Sequence, residues 1–111
     1  MHLKKEIEHC LEKYPESRND DVYLTSALWW EFHSKSLIES GKAKMIDGDL
    51  FINLRAIQTL PREDHIKRIR AKIQNEEFRF TPTNPEVIKL REASRRKWKA
   101  KMNNDKYNLY G

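Results

Sequence analysis

The sequence predicts a mainly α-helical small domain with one short β-hairpin and a basic C-terminal helix. Apolar residues recur at helical spacing along most of the chain. Asp47-Gly48 stands between two short apolar runs, the setting that favours a tight two-residue hairpin turn. The chain has 111 residues, a length that suits one domain. We expect a helical domain over residues 1–102, with its core at 18–80, the basic helix at 84–102 and a flexible tail at 103–111.

The first helix is expected over residues 2–13. Leu3, Ile7, Cys10 and Leu11 share one face, and Tyr14-Pro15 ends the helix because the residue before proline avoids helical geometry. Glu16 to Asn19 reads as a polar turn. Asp20 or Asp21 then caps a second helix, whose residues Val22, Tyr23, Leu24, Ala27, Leu28, Trp29, Trp30 and Phe32 give it a broad apolar arc. Glu31 interrupts that arc and needs a basic partner, for which Arg55 and Arg70 are candidates. Ser40-Gly41 supplies a helix stop.

After the expected hairpin, Leu54, Ile57 and Leu60 continue at helical spacing, although Leu50 onward could also begin a helix. Thr59-Leu60-Pro61-Arg62 is a turn, followed by a basic amphipathic helix reaching Asn75. A short helix, a turn and an outward helix make helix-turn-helix geometry, or a winged-helix-like form of it. Phe78-Arg79-Phe80-Thr81-Pro82 reads as a short extended strand where a wing would lie. Asn84 and Pro85 open the basic C-terminal helix, where Val87, Leu90 and Trp98 form a thin apolar stripe.

Charge is divided unevenly. Residues 1–60 hold 8 basic and 10 acidic side chains, whereas residues 61–102 hold 13 and 6. The second half should therefore attract polyanions. On the helix before Asn75, Ile66, Ile69 and Ile73 form the inner stripe, and Asp64, Arg68, Ala71 and Asn75 lie opposite, flanked by Lys67 and Lys72. Basic and amide side chains on an outward helix can donate to guanine and pair with adenine in a major groove. A solvated amphipathic helix would carry a similar face, so the pattern is suggestive by itself.

Several chemistries lack their motifs. Three glycines leave no room for a phosphate loop, and the four histidines show no zinc-protease spacing. One cysteine gives neither a zinc set nor an internal disulfide, though His9-Cys10 beside His2 could bind a metal adventitiously. Ser, His and Asp occur without a nucleophile setting. No apolar run approaches the roughly 20 residues that cross a bilayer, and the first residues lack a signal peptide's apolar stretch. We expect a non-enzymatic cytoplasmic protein with no cofactor, metal or membrane partner.

Leu60-Pro61-x-x-x-x-Ile66-x-Arg68-x-Arg70-x-Lys72-Ile73-Gln74 resembles a segment of small, mostly uncharacterised proteins encoded by bacteriophages and prophages. The Asp20-Asp21 helix before it, and the Thr/Pro stretch and basic tail after it, extend the resemblance over roughly residues 18–100. The Ser36–Asp49 stretch departs from it as an insertion. The resemblance implies a helix-turn-helix or winged-helix fold and phage origin, more than any mechanism.

The expected function is non-catalytic binding of double-stranded DNA, in phage gene regulation or genome handling. Lys67, Arg68, Lys72 and Asn75 would face bases. His65 would contact DNA or cap the helix, and Arg62, Arg79, Arg95, Arg96, Lys97 and Lys99 would hold phosphates. Two alternatives stay open. The chain could instead be a phage-encoded interaction factor whose basic C-terminal helix, with Trp98, docks on an acidic host enzyme, or a structural component of the virion. Alternatively, Trp29, Trp30 and Trp98 could stack on unpaired bases, although core packing explains Trp29 more simply.

Overall fold

Three helices bury most of the apolar surface in the computed structural model, which describes residues 3–94. The chain divides into two compact units, Met1–Thr81 and Pro82–Gly111. In the first unit, α1 (Leu3–Lys13), α2 (Asp21–Phe32) and α5 (Glu63–Asn75) pack together. Between α2 and α5 the chain forms α3 (Ser34–Glu39), strands β1 (Ala43–Ile46) and β2 (Asp49–Ile52), and α4 (Leu54–Ile57).

α1 buries Ile7, Cys10 and Leu11, the stripe its spacing predicts. The polar turn after it is a single 3-10 turn, Pro15–Arg18, that closes the open end of α1. The fully buried Ser17 donates its hydroxyl to the carbonyl oxygens of Cys10 and Tyr14, and Arg18 Nε donates to Leu11 O at 2.8 Å. A helix end leaves four carbonyls without partners, so this short polar segment settles a local debt of hydrogen bonds. Asp20 caps α2, its carboxylate accepting from the N–H groups of Val22 and Tyr23. The helical run expected up to Ser40-Gly41 breaks at His33, and α3 follows.

The hairpin forms as expected. Ala43 pairs with Ile52, and Ile46 with Asp49, leaving Asp47-Gly48 as the loop. Both loop residues have positive φ, 51° and 85°, which is the geometry of a type I′ turn. Asn53 then caps α4 by accepting from Arg55 N–H at 2.9 Å, so Leu50 belongs to a strand and the helix starts later. Leu37, Ala43, Ala56 and Leu60 form a second apolar cluster under the hairpin. Trp29 touches both clusters, and its indole N–H donates to Pro61 O at 2.8 Å.

α5 buries Ile66 and Ile73 fully, with Ile69 partly covered at the margin. Arg70 and Gln74 are buried beside them. Arg70 makes a two-pronged ion pair with Asp21 of α2, with Nε to Oδ1 and Nη2 to Oδ2 both at 2.8 Å. Gln74 donates to Arg18 O at 3.2 Å and Phe80 O at 2.7 Å.

Several expectations need correction. Phe78–Pro82 is not a strand: Phe78 and Phe80 have φ of 54° and 49°, far from extended backbone. Hydrogen bonds from Gln74 to Phe80 O and from Arg79 N–H to Ile73 O curl this segment back onto the end of α5. Glu31 is the second. It pairs with neither Arg55 nor Arg70 but with α1, through Lys13 and Tyr14. Arg70 is taken by Asp21. The hairpin also precedes α4 and α5, whereas a wing was expected after α5. The first helix of the expected helix-turn-helix pair is only the single turn α4.

In the second unit, residues 85–94 are helical, with Asn84 accepting from Glu86 N–H at 3.0 Å as its cap. Arg95, Arg96, Lys97, Trp98 and Lys99 lie outside the described residues.

Asp21→Ala would leave the Arg70 guanidinium buried without its counter-charge and should cost about 3 kcal/mol of stability. Urea denaturation measures this. A joint Asp21→Leu, Arg70→Met variant should recover most of the loss. A change below about 1 kcal/mol in Asp21→Ala would show that the pair is not structurally important.

Candidate nucleic-acid interface

The face of α5 away from the core follows from the packing of the other face. With Ile66, Arg70, Ile73 and Gln74 held inward, 100° per residue turns Asp64, Arg68, Ala71, Lys72 and Asn75 outward. Asp64, His65, Lys67, Arg68, Lys72 and Asn75 are all exposed, as is Arg62 just before the helix, while Ala71 is half-buried. Arg68 and Lys72 are four residues apart and therefore neighbours on this surface. Glu63 and Asp64 complement the positive end of the helix dipole and leave the C-terminal two-thirds of the ridge cationic.

Among the described residues, ion pairs engage His9, Lys4, Lys13, Arg70 and Arg79, and none engages Arg62, Lys67, Arg68 or Lys72. Among the described residues no carboxylate pairs with these ridge cations, although Glu63 and Asp64 stand one turn before Lys67 and Arg68 on the same helix. Arg79 differs. Its guanidinium meets Glu8 at 3.2 Å and Glu77 at 3.4 Å, and stacks over Phe80 at 5.2 Å. It stands at the end of α5 with two carboxylates already on it, rather than on the free ridge.

A second cluster of titratable groups lies on α1 and α2. Glu31 takes Lys13 Nζ at 2.8 Å and the Tyr14 hydroxyl, with His9 Nε2 at 3.8 Å. The hydrogen bond from Lys13 holds the Glu31 carboxyl below its ordinary range, and the bond from Tyr14 adds to this. Donation to Glu31 in turn raises Tyr14 and Lys13. This network explains how a carboxylate sits in an aromatic helix without a catalytic role being required. Cys10 is pushed up to about 12, by burial first and then by Glu31 and Glu6, so its thiol stays protonated at neutral pH. His9 packs edge-on to Phe32, with ring centres 5.4 Å apart.

Among the described residues no group of three or more His, Cys, Asp or Glu side chains is placed to hold a metal ion. No helix there is long and apolar enough to cross a membrane.

Sequence reasoning missed the Arg70–Asp21 pair and the role of Gln74. A signal existed: Arg70 lies four residues after Ile66 and three before Ile73, which puts it on the buried side of the same helix. Comparison with protein-family models, curated proteins and solved structures gives no match.

The Glu31 network predicts an acid-dependent contribution. A carboxyl lowered in the folded state stabilises fully above its unfolded value, 4.5, and loses that effect as pH falls through the lower folded value. Glu31→Gln should therefore be less stable than the parent at pH 7, and the gap should narrow steadily as pH is lowered below about 4.5. Thermal melts between neutral and acidic pH test this, and a gap independent of pH would refute it.

Proposed function

We propose that the protein binds double-stranded DNA without catalysis, through the outer face of α5. The observation that carries this reading is the set of exposed cations Lys67, Arg68 and Lys72, none in an ion pair among the described residues, on a helix whose opposite face is locked into the core. Rigid presentation matters because a side chain reading base edges must hold its register. Lys67, Arg68, Lys72 and Asn75 face the bases in this reading, with Ala71 allowing close approach. Arg62 and His65 lie at the N-terminal end of the same helix, where they would meet the backbone.

α4, the turn through Pro61 and α5 serve as a helix-turn-helix-like unit, with α5 as its reading helix. The turn is held by Trp29 through Pro61 O. Arg95, Arg96, Lys97 and Lys99 are assigned to phosphates on charge alone, and Arg79 joins them only if phosphate displaces Glu8 or Glu77. The resemblance of the Leu60–Gln74 segment to phage-encoded proteins supports a role in phage gene regulation or genome handling in the host cytoplasm.

Replacing Arg68 and Lys72 together by alanine should weaken duplex binding by roughly tenfold or more and lower the slope of log K against log salt by about 1–2. The fold should be untouched, since both side chains are exposed. Fluorescence anisotropy with a labelled duplex across salt concentrations measures both quantities. Equal affinity and slope in the double variant would reject this interface.

A further inference from the structure

A groove away from the α5 ridge carries recognition chemistry of its own. It runs beside α2, has a volume of about 560 Å³, and is lined chiefly by Tyr14, Tyr23 and Trp30, with Asp20 among its few polar residues. α2 is unusual in being apolar on its outer face as well as its inner one: Trp30 is 49% exposed and Tyr23 43%. Tyr23 and Trp30 stand seven residues apart, two turns of the helix, or about 10.5 Å along its axis. Ser26 and Ala27 between them are short, so the floor of the groove is low there.

Tyr14 adds an aromatic wall from the end of α1. Its ring lies 6.3 Å from that of Tyr23, tilted by 59°. Its hydroxyl donates to Glu31, which polarises the phenol and makes the ring a better cation acceptor. Lys13 Nζ sits 5.5 Å from the Tyr14 centroid, held by Glu31, so an incoming cation meets the groove on the Tyr23 side. Asp20 places a carboxylate in the lining. Both of its hydrogen bonds to the helix N–H groups use Oδ1, and among the described residues nothing bonds Oδ2.

We propose that this groove receives an arginine side chain presented by a partner protein. Aromatic walls with a carboxylate call for a cation, and the shape selects which one. A guanidinium is planar, weakly hydrated, stacks on aromatic faces and can donate to a carboxylate oxygen. Lysine's ammonium is compact and holds its water more firmly. A quaternary ammonium has no N–H to offer Asp20. No residue of the groove lies on α5, so the inference does not rest on duplex binding.

The test uses the full chain and three capped tripeptides, Gly-Arg-Gly, Gly-Lys-Gly and Gly-citrulline-Gly, followed by NMR shifts of the Trp30 indole and the Ser26 and Ala27 amides. The arginine peptide should give saturable shifts and bind at least about fivefold more tightly than the other two. Asp20→Asn keeps a good helix cap while removing the charge, and should weaken arginine binding by about fivefold. Trp30→Leu, at a half-exposed position, should reduce it by a similar factor. Absence of saturable shifts up to about 20 mM peptide, equal binding of arginine and citrulline, or unchanged affinity in Asp20→Asn would each overturn the proposal.

Discussion

Arg70 and Asp21 meet inside the contact between α5 and α2, and the orientation of everything outside that contact depends on their pairing. A buried, two-pronged guanidinium–carboxylate bond tolerates little rotation, because both prongs require coplanar approach. Turning α5 by one residue would swing its surface by 100° and take Arg70 out of reach. Such an ion pair contributes less net stability than apolar packing of equal volume would, since two charges lose their water. Its value here is register. The same bond that fixes which side of α5 faces inward fixes which cations face outward.

Gln74 completes that restraint one turn later. Its amide N–H groups reach Arg18 O on one side and Phe80 O on the other, tying α5 to the turn after α1 and to the chain that leaves α5. Arg18 and Arg79 both lie over the Phe80 ring, at 5.5 and 5.2 Å. A buried amide that satisfies two carbonyls avoids the cost of leaving them bare, and the exit from α5 is held in a left-handed backbone that few side chains adopt unaided. At the other end, Trp29 spans the two apolar clusters and bonds the carbonyl just before α5 begins. Both ends of the helix are thus anchored by polar bonds while its middle is anchored by isoleucine.

The molecule separates two surface chemistries on neighbouring elements. α5 has an apolar inner face and a polar, cationic outer face, the usual distribution for a helix packed on one side. α2 has apolar residues nearly all round, with Val22, Tyr23 and Trp30 left at the surface. A helix of that kind ordinarily lies deeper in a protein or under a partner. The two surfaces differ in chemistry and share no residue.

Local rules were enough to read much of this chain from its residues. The stripe of Ile7, Cys10 and Leu11, the Asp20 cap, the Asp47-Gly48 turn and the inward Ile66 and Ile73 all depend on residues within a few positions of one another, where spacing and turn chemistry act. The outward placement of Lys67, Arg68 and Lys72 follows from the same periodicity. What needed the tertiary structure was every pairing across long separation. Glu31 chose Lys13 and Tyr14 over Arg55 and Arg70, because α2 turns that side toward α1 and Asp21 claims Arg70. The Phe78–Pro82 segment alternates like a strand, yet among the described residues the only strands are β1 and β2, which pair with each other, and Gln74 bonds the segment instead. The aromatic groove arises only when Tyr14, from outside α2, is brought beside Tyr23, a juxtaposition that no local rule contains.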